Sequence, residues 1–158
     1  MTGFLQWCED TALSHFVLSA KWQYPLVEIF HIAGLVVVFG SILVLNLRIF
    51  GRILRAQPVS QIAISLSPIT LFGLCAQFVS GPVLFMATAK HFYKSGPFRL
   101  KLLLLAVALV YHFGVHRSLA LKTFTSTAAL RVSATISMLL WSGVVLAGLA
   151  IELLPDQP

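Results

Sequence analysis

Two pairs of residues in this chain have types and spacings that could do chemistry. Glu28 and His31 stand three positions apart, and His112 and His116 four apart. On a helix each pair shares one face. A carboxylate one turn before a histidine either ligates a metal beside it or accepts the imidazole's second N–H and fixes its orientation. Histidines one turn apart can chelate a single ion or reach a cofactor from one side. The surroundings sharpen the question. "YPLVEIFHIAG", Tyr24 to Gly34, opens an apolar segment, where a full charge costs roughly 2.5 to 3.5 kcal/mol to insert.

The composition explains why such residues stand out. Of 158 residues 58% are hydrophobic and 10% charged, with a mean hydropathy of +0.92. That composition belongs to an integral membrane protein in a lipid bilayer. The formal charge of +6 comes from basic residues at the ends of apolar runs, so it marks anchors and topology and excludes a nucleic-acid surface. Cys8 and Cys75 supply neither a disulfide framework nor a CxxC pair. The first residues lack the basic stretch and cleavage site of a signal peptide and read as mature sequence.

The elements that must position these residues are four spans of about 20 apolar residues. They run over residues 25–47, 62–89, 102–121 and 128–149. Short links between them predict a single membrane domain over residues 1–158, all-α, folded as an up-down four-helix bundle. Residues 2–18 are too polar to span and predict an N-terminal interfacial helix. Pro68 and Pro82 predict kinks in the second span. The acids cluster toward one side, and Arg48, Arg52, Arg55, Arg117, Lys122 and Arg131 toward the other. This predicts a bacterial inner membrane protein with both termini periplasmic.

Helical periodicity assigns an inward stripe to each span. Glu28, His31, Gly34, Val38, Ser41 and Asn46 share a face of the first. The second shows Thr70, Gly73, Gln77, Ser80, Leu84 and Thr88, with Cys75 reversed, and the third Lys101, Leu105, Ala108, His112, His116 and Leu119. Arg131, Thr135, Met138, Ser142 and Glu152 align on the fourth. Spans one and three lie diagonally, so their histidines can face one flat cofactor. At 1.5 Å per residue, His31 lies about 8 Å from the outer edge, His112 about 15 Å and His116 about 21 Å.

These positions predict a haem b ligated axially by His31 and by His112 or His116, with Glu28 orienting His31 and Arg99 and Lys101 neutralising the propionates. The depths favour His112. A second reading gives the same histidines a copper, zinc or iron ion, with His91 as a further ligand at the outer edge, where it also reads as an interface residue. Transport along Thr70, Gln77 and Ser80 in a homo-oligomer is a third reading, and a non-catalytic subunit of a larger complex a fourth. No nucleophile, phosphate loop or paired acids for independent hydrolysis or group transfer are present.

The pattern "YPLVEIFHIAG…FGSILVLNLRIFG", followed by "FVSGPVLFM" and "GPFRLKLLLL", resembles a family of small bacterial inner-membrane proteins of uncharacterised function. The resemblance runs from Tyr24 to about His116. It implies that His31, Arg48, Arg99, Lys101 and His116 are the hallmark positions, and it favours His116 over His112 as ligand. More loosely, the architecture is similar to four-helix b-type cytochrome subunits, which implies electron transfer between a quinone and a periplasmic redox partner.

Overall fold

The computed structural model describes residues 2–122 and 126–154, without the side chains of Thr2 and Glu152. Glu152, placed on the fourth stripe above, therefore lies outside the described side chains. Among the described residues the regular structure is entirely helical.

Four helical stretches are long and apolar enough to cross a membrane, the architecture of a multi-pass membrane protein. Helix α3 covers Gln23–Ile49 and α4 Val59–Ala87. The third stretch is composite: α6, Gly96–Tyr111, passes into a π turn at His112–His116 and ends in α7, Arg117–Leu121. Helix α8 covers Thr127–Leu153. Each boundary falls within a few residues of the expected one except the start of the third stretch. It begins at Gly96 because the Ser95 side chain caps the Phe98 N–H and Pro97 fits the first turn.

Local chemistry closes the other ends. After α3 the chain turns on Gly51 at φ +72°. Gly51 N–H donates to Arg48 C=O and Arg52 N–H to Leu47 C=O, a Schellman closure that needs the left-handed residue. Ser126 caps α8 by accepting from Ala129 N–H at 3.2 Å. Helix α4 runs unbroken through Pro68 and Pro82.

Helix α3 packs against α4 and α8, and α6 against α8. Helix α4 meets the third stretch mainly through α7, so α3 and α6 are diagonal, as an up-down bundle requires. The centre is filled by Val38, Ile42, Leu74, Ala108, Trp141 and Val144. At the crossing of α3 and α4, Gly34 faces Gly73. A Cβ on Gly73 would lie 2.8 Å from Val38 Cγ2 and 3.0 Å from Gly34 O. Missing side chains let the backbones approach, as is common between membrane helices.

The expected helix over 2–18 is two helices, α1, Thr2–Glu9, and α2, Ala12–Ser19. The break arises at Thr11, whose hydroxyl donates to Cys8 C=O and accepts from Ser14 N–H. Leu5 and Cys8 of α1 pack on Ala89 of the short helix α5, Ala89–Lys94, and on Phe85 and Met86. Glu9 accepts from Lys90 N–H at 2.9 Å and pairs with its Nζ at 2.8 Å. Phe4, Trp7, Leu13, Phe16 and Trp22 remain exposed.

The fourth stripe is a correction. The buried face of α8 is Ser133, Ser137, Trp141 and Val144, whereas Arg131 and Thr135 are exposed. The residues chosen above lie off that face. In a membrane helix apolar residues suit both lipid and core, so a scatter of polar groups sets the phase poorly.

Candidate functional site

The polar interior forms two clusters at different depths. The first lies near the start of α3. The Ser80 hydroxyl donates to Ala76 C=O at 2.6 Å, so it accepts from His31 Nδ1–H at 2.8 Å. This network assigns the lone pair to Nε2 of His31. Gln77 Nε2 donates to the His31 carbonyl. Gly81 borders the imidazole, since a Cβ there would sit 3.4 Å from His31 Cε1. The partner of Nδ1 is thus Ser80, in the role expected of Glu28; Glu28 itself is half-buried one turn earlier.

The residues expected to neutralise propionates diverge. Lys101 is half-buried, with Nζ against Gly148 of α8. Arg99 is exposed and donates to Lys94 C=O at 3.3 Å. His91 is also exposed, its ring edge-on to Phe92.

The second cluster surrounds the π turn. His112 and His116 are both buried, their ring centres 5.8 Å apart. His116 Nδ1 meets Ser133 Oγ at 2.9 Å, and Tyr111 OH donates to that oxygen at 3.1 Å. Tyr111 stacks on the His116 ring, and Trp141 stands edge-on to His112. Asn46 Nδ2 donates to Ser137 Oγ at 3.5 Å. Single-turn π segments interrupt helices disproportionately at functional sites, and this one carries both histidines.

Buried atoms without hydrogen-bond partners concentrate here. They include His112 Nδ1, His116 Nε2, Trp141 Nε1 and Asn46 Oδ1. Buried polar atoms in native proteins nearly always have a partner, and exceptions mark bound water, an ion or a reactive role. Two imidazole nitrogens, an amide oxygen and an indole N–H can surround a small hydrated ion. Ser133, Ser137, Trp141 and Tyr111 were not among the expected site residues. The i, i+4 spacing of Ser133 and Ser137 opposite a histidine-bearing span was the available signal.

A haem between the two clusters does not fit. His31 meets Ser80 of α4, whereas His112 lines a cavity with Thr70, ten residues back along the same helix, so the two imidazoles differ in depth by about 15 Å. The core residues Val38, Ile42, Leu74, Ala108 and Trp141, each at most 5% exposed, occupy the space between. Nor do His31, His91, His112 and His116 form one metal site. Among the described residues no three His, Cys, Asp or Glu side chains come together as metal ligands.

Fold and site together define a multi-pass helical membrane protein with a buried histidine pair on a π turn. The chain belongs to DUF6644, a family of unknown function, whose model matches residues 4–153. Neither a curated protein nor a solved structure matches it.

Proposed function

We propose that this protein binds one transition-metal ion on His112 and His116, within the half of an inner membrane that faces the cytoplasm. The observation that carries the reading is the adjacent buried imidazoles, each with an unpartnered nitrogen. At metal–nitrogen bonds of about 2 Å, imidazoles sharing an ion stand about 6 Å apart, centre to centre. Ser133 would hold His116 through Nδ1 and leave Nε2 to the metal, the usual outer-shell arrangement. Asn46 Oδ1 is an oxygen available nearby on α3. Two imidazoles with open positions suit copper, zinc or iron, and copper binds such a donor set most tightly.

The orientation follows from charge. The end of the bundle near the π turn carries Arg48, Arg52, Arg55, Arg117, Lys122 and Arg131 and no acid, whereas Lys21, Lys90, Lys94, Arg99 and Lys101 at the other end are accompanied by the acids; this asymmetry supports a cytoplasmic π-turn end with both termini periplasmic. Helices α1 and α2 lie in the periplasmic interface, with their exposed aromatic residues in the headgroup layer.

The test is metal analysis and an optical spectrum of protein purified in detergent without chelator. About one copper, zinc or iron per chain is expected, lost in the double variant His112→Ala/His116→Ala and kept in His31→Ala and His91→Ala. A Soret band that disappears in His31→Ala would replace this reading with a haem protein. Metal-free protein that takes up no ion on titration would leave a structural subunit.

A further inference from the structure

A second polar feature lies beside the histidine pair. A cavity of about 10 Å³ between α3, α4 and the third stretch is lined by Ser41, Ser67, Thr70, His112 and Arg117. It has room for the centre of one water-sized sphere. Arg117 is half-buried and donates from Nε to Ser67 Oγ at 3.2 Å.

The charge around Arg117 is unbalanced. The chain has five acids: Glu9, Asp10, Glu28, Glu152 and Asp156. None of them is among the residues that line the cavity. A half-buried guanidinium attracts an anion beside it, and its hydrogen bond to the Ser67 hydroxyl brings no negative charge. Five further cations are absent from the lining but lie near the same end, so the local field favours an anion.

The hydroxyls can serve as donors. Ser67 donates to Ala63 C=O and Thr70 to Leu66 C=O, while Ser41 reaches Val38 C=O and Thr70. Each of those carbonyls also accepts the N–H four residues on within its helix. Turning a hydroxyl toward the cavity therefore orphans no backbone group.

We infer that this cavity binds a small inorganic anion of halide size, held by the Arg117 guanidinium with donors from Ser67, Thr70 and His112. The volume excludes a phosphate headgroup. The site needs no metal on the histidine pair, so its test uses chelator-treated protein and stands apart from the metal reading.

The experiment is chloride-35 NMR line broadening on the full chain in chloride-free detergent buffer, with chloride titrated in. Saturable broadening is expected, at least tenfold weaker in Arg117→Gln, weakened in Thr70→Val and unchanged in Arg131→Gln, which removes an exposed cation near the same end. If Arg117→Gln fails to fold by circular dichroism and size exclusion, Thr70→Val and Ser67→Ala decide. Broadening that never saturates, or that falls equally in Arg131→Gln, would show diffuse surface attraction or a water-filled cavity and overturn the inference.

Discussion

At the residue scale the central group is Ser133. It touches His116 Nδ1 and receives Tyr111 OH, so it sets the orientation of the ring. If His116 ligates a metal as proposed, Ser133 is its outer-shell partner, and removing such a partner commonly costs 10- to 100-fold in metal affinity. Ser133→Ala should therefore weaken metal retention by about that factor against a competing chelator, with helicity unchanged; equal retention would show that the serine only fills space. The histidines were legible in the sequence because ionisable groups in an apolar run stand out, and their i, i+4 spacing places them on one face. Ser133 was not legible. A membrane serine can satisfy itself on its own helix backbone, so its presence carries no information about which way it points.

At the element scale the α3–α4 crossing should be the least tolerant point of the bundle. A methyl group on Gly73 meets Val38 Cγ2 at 2.8 Å and the backbone atoms Gly34 O and Val38 N at 3.0 Å, and backbone cannot swing aside. Gly73→Ala should cost about 1–3 kcal/mol, as overpacking does. Gly40→Ala meets nothing within 4 Å and should be neutral or stabilising by up to about 1 kcal/mol, since Ala is the better helix former. Unfolding of the two variants in a denaturing detergent series checks both. Span lengths, the diagonal arrangement and three of the four inward stripes were readable from hydropathy and period. The phase of α8 was not, because Trp141 and Val144 look the same to lipid as to a core. The π turn was not foreseen either, since a one-residue change of hydrogen-bond register leaves the sequence pattern almost untouched.

At the scale of the whole molecule, α1 is fastened to α5 through Glu9 and Lys90. Their mutual hydrogen bond and ion pair hold the Glu9 carboxyl below its usual range and raise the Lys90 ammonium above its own. A lowered carboxyl contributes stability above its unfolded value of about 4.3 and loses it as pH falls through the folded value. A raised ammonium contributes below about 10.4 and loses it as pH rises through its folded value. Docking of α1 should therefore be strongest between those limits. Hydrogen exchange over residues 2–9 should be slow at pH 7 and quicken, after correction for the intrinsic rate, in acid or in Glu9→Gln. An unchanged pattern would assign the docking to Leu5 and Cys8 alone.

The packing also bears on the order in which the protein is built. The most extensive helix contact joins α3 to α4, and the next joins α6 to α8, so each half of the chain largely completes a hairpin with its own neighbour. Synthesis proceeds from the N-terminus, so the first hairpin, glycine crossing included, can form before α6 has left the ribosome. His116 meets Ser133 only when α8 arrives. The histidine centre is thus among the last parts of the protein to exist, and a chain that stalls after α7 would be inserted and partly packed yet leave His116 without its serine partner.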